Sequence, residues 1–193
     1  PSADTFVTSN NQVQTNGSNT ILDVGNYHAA NRVLMKFDET ELKNALSDKE
    51  IVSARLELPI SLHYISSDCV IGLHQMTKAW NADTATWNFP IDSSESWLLW
   101  SHNPNNEIPY PYSTNPFATD TIVKDQVTPL GFDIKNYVID LMSTDNNHGF
   151  TVYKNTTDVG SPLQLFSSEG SQKPKLIVQY RELGPETLDA KLN

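Results

Sequence analysis

Residues 131–153, GFDIKNYVIDLMSTDNNHGFTVY, constrain the fold more than any other stretch. Ile134, Val138, Leu141 and Met142 recur at i, i+4, i+7 and i+8, so they share one face of a short helix. Phe132 sits just ahead of it. Asp133 can cap the first turn, because its carboxylate accepts the free N–H groups there. Residues 144–148 form a polar breaker, and Gly149 can supply the positive φ of a tight reversal. Phe150 and Val152, alternating with Thr151 and Tyr153, then read as a strand. One short helix thus drops into a reversal and feeds a strand, while nearly all the rest reads as β.

Residues 4–8, 20–24, 32–37, 69–76, 120–127, 163–167 and 174–180 are predicted strands, with Val33, Met35 and Phe37 on one face. Residues 51–62 read as one long strand, in which Pro59 implies an edge position or a bulge. Residues 38–46 form a helical turn or short helix capped by Asp38 or Thr40. Residues 77–90 are an aromatic loop, and residues 94–119 are irregular. No period of 20–50 residues repeats. Many short strands with turn punctuation and one or two short helices favour a mainly β fold, an antiparallel jelly-roll-like β-sandwich. Residues 1–181 are expected to form it, and residues 182–193 to be a linker or the start of a following domain.

A chain of 193 residues can bury a real core. It must do so unaided, because the single cysteine, Cys69 in the apolar run CVIGL, leaves no internal disulfide. The net charge of −10 disfavours nucleic acid, whose phosphates demand a basic surface. No apolar run approaches the ~20 residues of a membrane span, so no membrane insertion is expected. The opening PSADT lacks Met and looks like a segment of a longer protein, with flanking domains as partners.

RVLMKFD at 32–38, IVSARLEL at 51–58, HQMTKAWNADTATWNFP at 74–90, GFDIKNYVIDL with NHGFTVY, and LFSSEGSQKPKLIVQY at 165–180 follow in that order. Together they resemble the DNRLRE-type module, also classed as family 96 of the carbohydrate-binding modules. That module is similar in turn to the propeptide region of TGF-β-type growth factors. The resemblance runs over residues 3–180. It implies a jelly-roll-like sandwich, repeated in or appended to secreted enzymes and surface proteins, some members binding polysaccharides such as alginate. The chain departs from the common pattern at residues 92–112, where it carries a longer, aromatic-rich insert.

Trp80 and Trp87 bracket NADTAT. Either they form a ligand platform or ion-binding loop with oxygens from Asn81, Asp83 and Thr84, or both indoles plug the end of the sandwich. A structural calcium ion, held at this loop or near Asp4, is the one candidate cofactor. Trp97, Trp100, Tyr110 and Tyr112 lie in the polar insert SWLLWSHNPNNEIPYPY. They are the candidates for stacking on sugar C–H faces, or else they pin the insert to the sheet. On the first reading, Trp97→Ala or Trp100→Ala costs binding without unfolding. Arg32, Lys36 and Arg55 could share one sheet surface and hold a uronate carboxylate, or else be solvated or paired with Asp38 and Glu57. The five histidines lack metal spacing, and GxSxG, P-loop, GxGxxG and HExxH motifs are absent.

These observations lead first to a non-catalytic carbohydrate-binding module, extracellular, secreted or attached to the cell surface. Its partner would be a polysaccharide, uronate-containing ones included, bound by ring stacking and polar contacts. The alternative is a structural or adhesive spacer, propeptide-like and without a sugar ligand. A polysaccharide-cleaving enzyme stands third, with no residues marked for it.

Overall fold

Strand alternation sorts the apolar side chains onto faces, and pairing then stacks those faces. The computed structural model describes residues 1–25, 30–94, 96–97, 112–145, 147–155 and 162–183. In chain order the elements are β1 (Ala3–Thr8), β2 (Ile21–Val24), β3 (Asn31–Lys36), α1 (Glu39–Leu46), β4 (Lys49–Leu58), β5 (Ile60–His63) and β6 (Cys69–Gln75). Then follow β7 (Ala118–Ile122), β8 (Leu130–Asp133), α2 (Lys135–Ser143), β9 (Phe150–Asn155), β10 (Leu163–Phe166) and β11 (Lys175–Glu182). All pairings between these strands are antiparallel. They form a five-stranded sheet, β1-β3-β9-β6-β7, and two three-stranded sheets, β2-β10-β5 and β11-β4-β8.

Register explains the core. Val33 lies opposite Val152, Met35 opposite Phe150, and Leu73 opposite Val152, so these side chains share the inner face of the large sheet. They pack in one cluster with Leu22, Val24, Leu163 and Leu165 of one small sheet and Leu56, Leu58, Leu130 and Phe132 of the other. The result is the expected β-sandwich. The other face of the large sheet is also covered over β1 and β3. Val7 and Leu34 belong to a second buried cluster, so β1 and β3 are buried at almost every position. The β11-β4-β8 sheet keeps a wet outer face, and there the alternation survives.

Several local readings shift. The long strand expected over 51–62 is two strands in different sheets. Pro59 has no N–H for a ladder, while its carbonyl accepts from Phe166 N at 3.0 Å, and the chain changes sheet there. The strand expected over 120–127 is β7, which stops at Ile122; Val127 is exposed. Strand β8 was not anticipated. Gly131 in it gives room to the Arg55 guanidinium, which a Cβ would meet at 1.8 Å.

Both helices form. Asp38 caps α1 by accepting from Glu41 N at 2.9 Å. Asp133 accepts from Lys135 N at 3.1 Å, although Ile134 occupies the cap position of α2. The buried face of α2 includes Tyr137, which stacks on Phe117 with ring centroids 4.5 Å apart, while Met142 is only partly buried.

Gly149 has φ 76°, and a Cβ there would sit 2.1 Å from Met35 O. Gly149→Ala is expected to lower stability by at least about 2 kcal/mol in urea unfolding. Asp4 is buried; its Oδ2 accepts from Ser168 N at 2.9 Å, and its Oδ1 has no partner. Burial pushes this carboxyl above the usual carboxylate range, which the Ser168 hydrogen bonds offset only in part. With the folded pKa raised above the unfolded one, ionisation opposes folding, and that penalty is lost as pH falls through the folded value. Asp4→Asn should therefore be more stable than the parent at neutral pH, with the advantage shrinking toward about pH 4 in urea titrations.

Candidate functional site

The tryptophan loop is a lid on the outer face of the large sheet. Trp80, Trp87, Trp97 and Tyr112 are buried with Val7, Leu34, Met76 and Ala85. Each of two indoles finds a carbonyl: Trp80 Nε1 donates to His148 O at 2.7 Å and Trp97 Nε1 to Thr86 O at 2.8 Å. Backbone bonds stitch the loop, including Asn81 N to Pro90 O at 3.0 Å and Trp97 N to Asn88 O at 3.0 Å. Trp80 and Trp87 are therefore buried rather than displayed, but over the outer face of the large sheet and not at the end of the sandwich. Trp97, 1% exposed, and Tyr112, 7% exposed, offer no ring face to a ligand. Trp100 and Tyr110 lie outside the described residues.

The basic residues do not gather on one surface. Arg32 and Lys36 stand on β3 in the large sheet, whereas Arg55 stands on β4 in a different sheet, opposite Asp133. Lys36 Nζ donates to Trp80 O at 3.2 Å and lies 4.9 Å from the Trp80 ring centroid. Arg32 is buried, donates to Asn31 O at 2.9 Å and lies over the Tyr153 ring. Arg55 is exposed and 3.6 Å from Glu57. The shared uronate clamp thus has no geometric basis, because the assumption that β3 and β4 present one face fails.

Asp4 lies between the sheets, where its neighbour Phe6 joins the main core, while Asn81 and Asp83 belong to the loop over the opposite face. Asn81 Oδ1 accepts from Asp83 N at 2.9 Å, an ordinary Asx turn. Among the described residues no group of three His, Cys, Asp or Glu side chains is placed to hold a metal ion.

What the fold does assemble is a polar cleft of about 380 Å³, lined from β1, the loop after it, β2, β3 and β10. Buried Phe6, Val24 and Leu163 give it an apolar base, and Thr8, Asn10, Gln14, Asp23, Asn31 and Gln164 give it polar walls. Pairing places these groups: Thr8 lies opposite Asn31, and Asp23 opposite Gln164. Gln164 Nε2 donates to Asp23 Oδ1 at 2.8 Å. The loop is anchored by Asn16 Nδ2 donating to Phe6 O at 2.9 Å, and Gln14 Nε2 donates to Asn16 Oδ1 at 2.9 Å. Planar amides and a carboxylate carry paired donors and acceptors, which suit adjacent hydroxyl groups above an apolar base. The size lies at the small end of ordinary ligand clefts of ~300–1,000 Å³.

A larger groove, about 570 Å³, runs between α1, α2 and β4. Two of its three lysines are already committed, Lys43 to Glu39 and Asp145, and Lys49 to Glu182, which leaves Lys135. The polar cleft is therefore the stronger site. Sequence reasoning missed it because its residues are scattered along the chain from Phe6 to Gln164. The only available signal was Asp23 and Gln164, polar residues set among the apolar ones of two short strands.

Trp97→Ala is expected to cost about 3–5 kcal/mol of stability, read as a lower midpoint in urea unfolding. An unchanged midpoint would place the ring outside the core.

No curated protein matches the chain. Residues 1–93, which carry β1 to β6, Trp80 and Trp87 of the tryptophan loop and the cleft residues from Phe6 to Asn31, match the family model of carbohydrate-binding module family 96, a non-catalytic family, and over that span the resemblance to family 96 is shown.

Proposed function

We propose that the chain is a non-catalytic polysaccharide-binding module of a secreted or cell-surface protein, with the polar cleft as its sugar site. The observation that carries this is the convergence of six hydrogen-bonding side chains over a buried apolar base. Five of the six fall within the span that matches the carbohydrate-binding family. Binding rests on hydrogen bonds more than on stacking, since Trp80, Trp87, Trp97 and Tyr112 are buried in the second core. The specific context, attachment to a polysaccharide-degrading enzyme or to a surface protein, follows from the resemblance alone.

A second reading is a structural or adhesive spacer without a sugar ligand. It is favoured by the burial of Trp97 and Tyr112, which removes two expected stacking rings.

Calorimetry against a panel of soluble polysaccharides separates the two. On the binding reading, Gln164→Ala and Asn31→Ala each lower affinity about tenfold, the loss of about 1.4 kcal/mol that one or two hydrogen bonds supply. Their urea midpoints should move far less than that of a core substitution. Full retention of affinity by both variants would remove the cleft from the binding account, and a folded chain that binds nothing on the panel favours the spacer.

A further inference from the structure

Gln14 supplies part of the cleft wall, yet it is exposed and sits on the loop between β1 and β2. A glutamine in that setting samples several rotamers, and fixing it on a ligand costs ordering entropy. Here it is held beforehand. Gln14 Nε2 donates to Asn16 Oδ1 at 2.9 Å, and Asn16 is buried, 2% exposed, behind the wall rather than in the lining. The Asn16 amide has only one sense. Its Nδ2 donates to Phe6 O at 2.9 Å, a carbonyl that can only accept, so Oδ1 faces the loop. There it takes Asn19 Nδ2 at 3.2 Å as well as Gln14 Nε2. The sense of Gln14 follows, with Nε2 turned to Asn16. Asn10, the other cleft residue of this loop, is secured separately, by Asn10 N donating to Thr8 Oγ1 at 3.3 Å and Ser9 N to Ala30 O at 3.0 Å. Behind Asn16 the loop rests on the tryptophan loop: a Cβ on Gly17 would overlap Ala82 O, and Asn88 N donates to Gln12 O at 3.3 Å.

We propose that Asn16 is a positioning residue for glycan binding: it presets the Gln14 side chain, Nε2 held and Oε1 left to accept a sugar hydroxyl, and so raises affinity without touching the ligand. The proposal rests on the reading of the cleft as the sugar site. It applies to neutral and uronate units alike, since both carry ring hydroxyls that donate to an amide oxygen. Asn16→Ala removes the partner that orders Gln14. It should lower affinity by roughly two- to tenfold, the range that ordering one such side chain costs.

The test is a double-mutant cycle in the full chain. Calorimetry with oligomers of neutral hexoses and of uronates sets the reference, and the tightest binder is titrated into Gln14→Ala, Asn16→Ala and the double variant. Because Asn16 acts through Gln14, the double variant should bind as Gln14→Ala does, to within about twofold. Losses that multiply in the double variant overturn the proposal, as does full affinity in Asn16→Ala. The unliganded parent gives a check that needs no folded variant. Its Gln14 side-chain amide should exchange with solvent at least about tenfold more slowly than that of a free glutamine, and exchange at the free rate overturns the proposal too. Gln164→Ala separates the two levels. If it weakens binding while Gln14→Ala and Asn16→Ala do not, only the positioning fails; if none of the three weakens it, or if no oligomer binds, the cleft reading fails and the positioning with it.

Discussion

Burial of the β1–β3 side of the five-stranded sheet on both faces is the constraint from which the rest follows. The sheet's inner face meets two small sheets in the main core, and the outer face over β1 and β3 is sealed by the tryptophan loop, while Val70, Thr119 and Thr121 at the β6–β7 edge stay exposed. Each indole in that loop buries a large apolar area, and the two Nε1–H groups of Trp80 and Trp97 reach carbonyls, so the seal leaves neither donor orphaned. A chain with one buried cysteine has no covalent staple, and this double packing replaces one.

The seal also determines where a ligand can go. A jelly-roll-like sandwich offers a sheet face or an end. Here the face carries buried rings, with Arg32 stacked on Tyr153, His74 edge-on to Tyr153 and to Tyr112, and Lys36 on Trp80. Those contacts commit the large polar side chains to the packing. Hydrogen-bonding groups remain open where β1 and β3 meet β2 and β10, and the loop pinned by Asn16 contributes Asn10 and Gln14 there. The proposed recognition therefore uses amides and a carboxylate, since Trp80, Trp87, Trp97 and Tyr112 are buried.

Much of the fold was legible because it is written in local pattern. The reversal at Gly149, the Asp38 cap and the strands around Val33, Ile71 and Leu165 come from period and turn chemistry. Pro59 was legible as an interruption, but that the chain changes sheet there depends on the distant Phe166 N–H. The candidate site was barely legible. Trp97 in a polar setting looks the same in sequence whether it faces water or Thr86 O. Arg32 and Arg55 cannot be assigned to one sheet or two until strands pair. The Asp23–Gln164 contact joins residues 141 positions apart, and no local rule reports it.

The claim that packing takes the rings and leaves recognition to the cleft is tested most directly by two-dimensional nitrogen–proton NMR of the chain titrated with an oligosaccharide that it binds. The side-chain amide signals of Asn10, Asn31 and Gln164 should shift on titration. The indole signals of Trp80 and Trp97 should stay fixed and exchange slowly with solvent. Movement of the two indole signals, with the amides unmoved, would contradict the account.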